Sequence, residues 1–427
     1  MSMAAKYQAL APGIVLVELG GNGHSPGYLT WASMAFESLG FTVAHAGPPE
    51  LFEKLRPNEK RPVILADDLG TRKAAAGNGF NRMRANYAWA FRLRRAIRHW
   101  ERSASVQVVL VYFPTLDYAL WSAHPFRWLA PLFPWKVSGN LVFPPVNWVL
   151  RDQPKRVRSD GYDGLGKPPF RDFGTINPLA VDGCEKHLGV RPVKFPEYTD
   201  LSVPSEDATL LPSFRVANRE KVVKARGKIV GLYGFISPRK QPLQFARMAR
   251  AGRDRDWLFL IWGKIAWNRL KDYEARELAE IIRSGLPNLV VEETDAERAD
   301  PELNWLIERT GLLFILYNTP EHGSNLLTKA SHFRVPVICL DAGFIGHAAR
   351  KYHLGFPVSE PSAVDLAELI PELALRHRAS PLFESGASQF AAENSREALR
   401  SSLVDLLGRM GIPIPAQVDA IRPVANR

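Results

Sequence analysis

The stretch KIVGLYGFISPRKQPLQFARMARAGRDRDWLFLIWG, residues 228–263, determines the predicted fold class. Both of its ends are apolar runs of strand length, and the segment between them has the apolar spacing of a helix. Strand, helix and strand in this order form a βαβ unit with parallel strands. Because the same alternation continues to residue 376, we predict a doubly wound parallel sheet for this half of the chain.

The N-terminal half begins in the same way. Residues 13–47, GIVLVELGGNGHSPGYLTWASMAFESLGFTVAHAG, read as strand, glycine-rich turn, helix and strand. Residues 199–227 are polar and contain proline, as a connection between domains does. We therefore predict an α/β protein with two Rossmann-like domains, at 1–220 and 221–395, and a C-terminal helix and tail at 396–427 that could pack back toward the N-terminal domain.

The composition narrows the function classes without choosing one. The formal net charge of +11 and the pI near 9.6 suit nucleic acid, an anionic membrane surface, phosphorylated small molecules or simply a soluble basic surface. No apolar run reaches the roughly 20 residues that a membrane helix needs. Two cysteines, Cys184 and Cys339, cannot form a disulfide framework, and no Cys/His cluster has zinc spacing. We expect no metal, no other cofactor, and a reducing compartment, the cytoplasm.

Three loops follow predicted strands, and ligands of open parallel sheets bind at the carboxyl ends of strands. The first loop, LGGNGHSPG at 19–27, has glycines that let a ligand approach the backbone closely. The helix after it favours an anion at its N-terminus. Gly20 and Gly21 are the candidate binding residues, and a plain strand-to-helix turn is the alternative.

The second loop, GFISPRKQP at 234–242, places two basic residues at the start of a helix. Cations there oppose the helix dipole and cost a few tenths of a kcal/mol unless an anion offsets them. A bound diphosphate would be such an anion, and solvated surface charges are the alternative. The candidate residues are Gly234, Arg239 and Lys240.

The third loop, PEHGSN at 320–325, lies between the apolar run GLLFILYNT and a predicted helix. Its serine and asparagine are good capping residues, and free N–H groups at a helix start can hold phosphate. An acid beside an anion site suggests a ligand with both hydroxyls and phosphate, whereas an ordinary helix cap is the alternative. The candidate residues are Glu321, His322, Gly323, Ser324 and Asn325.

Over nearly the whole chain these segments resemble retaining glycosyltransferases of the GT-B fold, of the family 4 type. The second loop resembles the family's Gly-Arg-x-x-x-x-Lys-Gly segment, with Gly234 and Lys240 at the matching spacing. EHGSNLLTKASHFRVPVICLD, at 321–341, resembles the family's Glu-Gly-Phe-Gly loop, helix and Gly-x-Pro-Val-Ile strand. VRPVKFPEYTD, at 190–200, is similar to its v-x-x-iPnGvD segment.

The resemblance implies two Rossmann-like domains whose parallel sheets face a central cleft, with a nucleotide-sugar donor held mostly by the second domain. Lys240 would neutralise the donor diphosphate, and Glu321 would hydrogen-bond the hydroxyls of the transferred sugar. The helix start at 323–325 would cap the diphosphate, while Gly20 and Gly21 would approach the phosphates from the first domain. The implied catalysis is electrostatic, retains configuration and needs no protein nucleophile.

The sequence departs from the family pattern at three points. Phe235 stands where the family has an arginine, and Arg239 is the nearest replacement for that charge. Lys329, a further candidate donor-binding residue, replaces a glutamate that holds the ribose, although an ammonium donates hydrogen bonds and cannot accept them. For the family's first-domain histidine the candidates are His24 and His124, neither in the expected context. Ribose recognition must therefore differ, or activity is lost.

A helix predicted over 80–102 carries seven arginines and one acid, Glu101. Basic, aromatic surfaces settle at anionic membrane interfaces, whereas an ordinary helix that covers the sheet with solvated arginines is the alternative. The apolar residues expected on one side of this helix are Phe80, Met83, Tyr87, Phe91, Ile97 and Trp100.

We therefore expect a glycosyltransferase, of hexosyltransferase type, that moves a sugar from a nucleotide-sugar donor to a glycan or lipid-linked acceptor in surface polysaccharide or glycolipid synthesis. It would be cytoplasmic, with peripheral attachment to the inner face of the cytoplasmic membrane as an option. The alternative is a catalytically inactive GT-B protein that serves as a binding or partner subunit. Only charge suggests a nucleic-acid binder, no recognised motif supports one, and nucleic acid is not an expected partner.

Overall fold

The computed structural model describes residues 10–20, 25–66, 79–122, 132–149, 162, 165–203, 216–294, 300–319, 323–359 and 362–415. The chain forms two compact units. Unit 1 comprises Met1–Pro196 and Arg396–Arg427, and unit 2 comprises Glu197–Ser395. Each unit is built around one parallel sheet, which confirms the predicted α/β class with two Rossmann-like parts.

The described part of unit 1 contains a seven-stranded parallel sheet. Its strands are Ala11–Val17 (β1), Thr42–Gly47 (β2), Val63–Ala66 (β3), Val106–Phe113 (β4), Lys136–Leu141 (β5), Gly174–Thr175 (β6) and Val193–Lys194 (β7). They lie in the order β3-β2-β1-β4-β5-β6-β7, and apolar residues of β1 and β4 form the centre of the core. The strand order reverses between β1 and β4, so the loops after these two strands flank the point at which such sheets bind ligands.

The helices of unit 1 include the long basic one predicted from the sequence. In the described part of its N-terminal segment they are Ser25–Ser38 (α1), Pro49–Glu53 (α2), Gly79–Ser103 (α3), Leu116–Ser122 (α4), Val146–Val149 (α5) and Ala180–Leu188 (α6). In α3, Leu93, Ile97 and Trp100 are buried in the core. Phe91 is 55% exposed, so its predicted place on the same side was wrong. Six residues at about 100° each separate Phe91 from Ile97 by about 240° around the helix axis.

Unit 2 follows the alternation that the sequence predicts. Its strands are Ile229–Tyr233 (β8), Leu258–Trp262 (β9), Leu289–Glu292 (β10), Leu312–Ile315 (β11), Val337–Leu340 (β12) and Gly355–Val358 (β13), in the parallel order β10-β9-β8-β11-β12-β13. Its helices are Val216–Lys224 (α7), Pro242–Ala251 (α8), Asp272–Arg283 (α9), Asp300–Arg309 (α10), Asn325–His332 (α11), Gly343–Lys351 (α12), Ala363–Arg378 (α13) and Pro381–Glu393 (α14). The order reverses between β8 and β11, which places the switch point of this sheet at their carboxyl ends.

Two helices lie in the C-terminal part of the described residues. The sequence analysis does not predict α14, in which Gly386 lowers helix propensity. A Cβ atom at Gly386 would overlap the backbone carbonyl of Tyr352, so glycine lets this helix pack closely. The last helix, Arg396–Arg409 (α15), belongs to unit 1, where Ser402 Oγ donates to the Lys194 carbonyl at 2.9 Å. The predicted division at 220/221 into acceptor-binding and donor-binding domains stays a prediction.

Candidate functional site

The second and third candidate loops meet at the switch point of unit 2. β8 and β11 are neighbours in the sheet, so the loops that follow them begin side by side. Two hydrogen bonds join these loops. Asn318 N donates to the Arg239 carbonyl at 3.0 Å, and Gln241 Nε2 donates to the Leu316 carbonyl at 2.6 Å. Residues that are far apart in the sequence are thereby held in one place.

The turn after β8 directs Lys240 back toward the strand. Gly234 has φ +85°, a conformation that favours glycine, and is followed by a short 3₁₀ turn over Pro238–Lys240. Gln241, at φ 52°, then leads into α8. As a result Lys240 is 8% exposed, and its Nζ donates to the carbonyl of Tyr233.

Two cations flank the buried ring of Tyr317. The Arg239 guanidinium lies 4.5 Å from the ring centroid, and Lys240 Nζ lies 5.8 Å from it. Burial lowers the pKa of Lys240 to about 7, and the charge of Arg239 adds to that effect. The Tyr317 hydroxyl is buried, and the Ser324 side chain is its polar neighbour among the described residues. A basic pair with a buried hydroxyl beside it is suited to an anionic, oxygen-rich ligand.

Glu197 is a residue of this site that the sequence analysis missed. It is 5% exposed, and its carboxylate accepts the backbone N–H of Ser324 and faces Arg239. A Cβ atom at Gly323 would overlap the carboxylate, which gives a physical reason for glycine there. Burial raises the pKa of Glu197 to about 7, although Arg239 and the Ser324 N–H lower it in part. The only signal for this residue was the similarity of segment 190–200 to the family pattern.

The main chain of Glu197 is fixed independently of its carboxylate. Glu197 N donates to Asn394 Oδ1 at 2.9 Å, and the Glu197 carbonyl accepts from Thr328 Oγ1 at 3.0 Å. The residue is therefore tied both to α11 and to the end of α14. These hydrogen bonds hold the backbone without using the carboxylate.

The start of α11 is capped differently from the prediction. Ser324 is the N-cap residue, with φ −151° and ψ 121°, but its side chain makes no capping hydrogen bond. The Glu197 carboxylate takes the Ser324 N–H instead, and a negative charge is favoured at a helix N-terminus. Gly323 and Asn325 lie on either side of this contact. The place predicted for a phosphate is thus held by a carboxylate of the chain itself.

Lys329 points into the interior of unit 2. It is fully buried, and its Nζ donates to the Asp200 carbonyl and to Asn304 Oδ1, both at 2.7 Å. Asn304 Nδ2 in turn donates to the Ser202 carbonyl at 2.8 Å. The ammonium therefore fastens the segment 200–202 to α10 and α11.

A basic side chain lies against the ring of Phe235, the residue that replaces the arginine of the family pattern. Its side chain is 47% exposed, and the Arg269 guanidinium lies 5.4 Å from its ring centroid. Positive charge is therefore present near this position, as it is at Arg239, although it comes from another loop.

In unit 1 the described part of the glycine-rich loop is held by Glu18. This carboxyl group is fully buried at the end of β1, and its Oε1 accepts the N–H of Gly20 at 2.8 Å. Burial raises its pKa to about 8, although hydrogen bonds from the Gly20 N–H, Thr115 and Ser25 lower it in part. In the sequence Glu18 only interrupts an apolar run, so its role as an anchor of the loop was missed.

Five candidates, Gly21, His24, His124, Glu321 and His322, lie outside the described residues. Within the described ranges, no three His, Cys, Asp or Glu side chains are grouped as metal ligands. Over the same ranges, every helix is too short or too polar to cross a membrane. Both cysteines are buried and unpaired with each other.

Comparison with known proteins identifies the fold. No family model matches the sequence, and no curated protein matches it. HepE of Anabaena, in complex with UDP and glucose, superposes with a TM-score of 0.64 at 13% identity, over 93% of this chain and 99% of HepE. Sucrose-phosphate synthase of Thermosynechococcus elongatus gives 0.60 at 13% identity, over 94% and 99% of the two chains. A glycosyltransferase of Rickettsia africae gives 0.57 at 12% identity, over 95% and 97%.

These matches cover both units, and at such identities they bear on the fold alone. The GT-B fold predicted from the sequence is therefore confirmed for this chain. Assignment to the family 4 type and retention of configuration stay predictions.

Proposed function

We propose that the protein is a glycosyltransferase that takes a sugar from a nucleotide-sugar donor bound at the switch point of unit 2. The observation that carries the proposal is the basic pair Arg239 and Lys240, which lies around the buried ring of Tyr317 at the carboxyl ends of β8 and β11. Burying cations costs free energy unless an anion compensates them, and a donor diphosphate would do so. HepE, which has the same fold, forms complexes with UDP and with UDP-glucose.

The proposed chemistry is electrostatic. Lys240 would stabilise the negative charge that develops on the departing diphosphate, so that no protein nucleophile is needed. Glu321, which follows β11 in the sequence, would bind hydroxyls of the transferred sugar. The roles of Glu321, Gly20 and Gly21 and the retention of configuration follow from the family resemblance.

Calorimetry with a panel of nucleotide sugars tests the proposal. We expect one donor to bind, and Lys240→Met to weaken it at least tenfold, since a charge-assisted contact to phosphate contributes about 1.4 kcal/mol or more. The matched control is Lys228→Met, because Lys228 is a half-exposed lysine paired with Asp256 at the opposite end of β8. A protein that binds no donor of the panel would contradict the proposal.

The proposals for the acceptor and for the location of the protein rest on the exposed face of α3. The exposed side chains of this helix include Phe91 together with Arg84, Arg92, Arg95 and Arg98. A basic face that carries an exposed aromatic ring is suited to an anionic membrane surface. We infer a lipid-linked or glycan acceptor, synthesis of a surface polysaccharide or glycolipid, and peripheral attachment at the inner face of the cytoplasmic membrane.

A second candidate function is that of an inactive binding or partner subunit. The carboxylate of Glu197 at the helix start, where a phosphate was expected, favours it. Donor hydrolysis distinguishes the two functions. A bound donor that is slowly hydrolysed, with the hydrolysis lost in Glu321→Ala, supports the enzyme, and a bound donor that is never hydrolysed or transferred supports the inactive subunit.

A further inference from the structure

The carboxylate of Glu197 has the partners that a donor phosphate would require. It accepts the N–H of Ser324, lies against Gly323 and faces Arg239. A phosphate at the start of α11 would use the same N–H group and the same guanidinium. The donor and the Glu197 side chain therefore compete for one place.

The surroundings of Glu197 decide how this competition is resolved. Among the described residues, the polar and titratable groups that face it from neighbouring elements are Arg239 of the 3₁₀ turn, Tyr317 after β11, Ser324 of α11 and Asn394 after α14. Of these, Arg239 is cationic and the other three are neutral. A carboxylate and a diphosphate in such buried surroundings repel strongly, and a shared proton relieves the repulsion.

We propose that Glu197 is an internal counter-anion of the donor site, which the donor diphosphate replaces on binding, and that the carboxylate then takes up one proton from solvent. The proposal rests on the proposed function, since it requires a donor that carries a diphosphate. Before the donor binds, the carboxylate compensates Arg239. In the complex the diphosphate does so, and Glu197 is a neutral carboxylic acid.

The direction of the pH effect follows from this exchange. Without donor the pKa of Glu197 is about 7, and the bound diphosphate raises it further by removing its two partners and adding negative charge. Below pH 7 Glu197 is already neutral and the donor binds at full strength, whereas above pH 7 binding requires proton uptake and weakens. Lys240, whose pKa is also about 7, acts in the same direction because a diphosphate favours its charged form.

Titration calorimetry measures both the affinity and the proton count. The probe is UDP-glucose first and then the other nucleotide sugars of the panel, whose diphosphate diesters do not titrate near pH 7. Binding is measured at pH 6 and pH 8.5 in two buffers of different ionisation enthalpy. At pH 8.5 we expect Glu197→Gln to bind about tenfold more tightly than the wild type and to take up about one proton fewer, with similar affinities at pH 6.

The matched control is Glu277→Gln, which removes a carboxylate that faces Arg247 between α8 and α9. It should behave as the wild type does. Should Glu197→Gln not fold, the number of protons that the wild type takes up at pH 8.5 is the test. Glu197 and Lys240 together are expected to take up more than one proton, and uptake of one or fewer overturns the proposal.

The outcomes separate this proposal from the proposed function. A donor that binds wild type and Glu197→Gln with equal affinity and equal proton uptake overturns the role of Glu197 and leaves the transferase standing. A donor that binds Glu197→Gln but not the wild type supports the role of Glu197 as a counter-anion. If no nucleotide sugar binds either protein, both proposals are overturned.

Discussion

At the scale of single residues, the buried surroundings of Lys329 fit a hydrogen-bond donor. Its ammonium donates to two oxygen acceptors, the Asp200 carbonyl and Asn304 Oδ1, in a fully buried place. A carboxylate can only accept hydrogen bonds. We therefore expect Lys329→Glu to lower the free energy of unfolding by about 3–5 kcal/mol, because it buries a charge against two acceptors. Urea denaturation measures the change.

The control is Lys221→Glu at an exposed position of α7, which should stay within about 0.5 kcal/mol of the wild type. If Lys329→Glu were as stable as the wild type and changed the preferred donor, Lys329 would belong to the donor site, as its position in the family pattern suggests.

At the scale of elements, α14 depends on one glycine. A Cβ atom at Gly386 would overlap the Tyr352 carbonyl at the end of α12. Overpacking of this kind costs about 1–3 kcal/mol, so Gly386→Ala should lower the free energy of unfolding by that amount. Gly408→Ala is the matched control, since beyond the adjacent backbone of α15 no described atom lies within 4 Å of the Cβ position, and alanine is the better helix former. Equal effects of the two substitutions on urea denaturation would argue against close packing of α14.

The exposed face of α3 provides the second prediction at this scale. The variant Phe91→Glu with Arg92→Glu and Arg95→Glu reverses the charge of the face and leaves the buried Leu93 and Ile97 unchanged. We expect the wild type to sediment with anionic liposomes at low salt, and the variant to lose at least tenfold in affinity, because each basic residue near such a surface contributes about 1 kcal/mol. A thermal melt equal to that of the wild type is the control for folding. Wild-type protein that stays in the supernatant would contradict the membrane proposal.

For the whole molecule, the architecture could be predicted because short local patterns in the sequence specify each strand and helix. Alternating apolar runs and helix-spaced segments specify parallel strands with crossovers, and the loops after β8 and β11 meet because the strand order reverses between them. The sequence also predicted that the loop with Gly234, Arg239 and Lys240 and the loop with Ser324 follow strands of one sheet, and these strands, β8 and β11, are neighbours. That these residues bind a donor stays a prediction.

What could not be predicted depends on contacts between distant parts of the chain. Glu197 is remote in sequence from Ser324 and Arg239, and only folding brings its carboxylate to them. The position of Lys329 in the family pattern predicts donor binding, which stays a prediction, but it does not predict the hydrogen bonds of its ammonium to Asn304 and to the Asp200 carbonyl. Buried polar partners of this kind have no local signal, because any oxygen of suitable geometry satisfies the donor.

Release of nucleoside diphosphate from a bound nucleotide sugar tests whether this site is a transferase centre. We expect slow release by the wild type and a rate about 100-fold lower in Lys240→Met, since that variant lacks the ammonium that would stabilise the leaving diphosphate. Lys228→Met should keep the wild-type rate. Release by the wild type that does not exceed release by Lys240→Met, with a donor that both proteins bind, would contradict a transferase centred on this site.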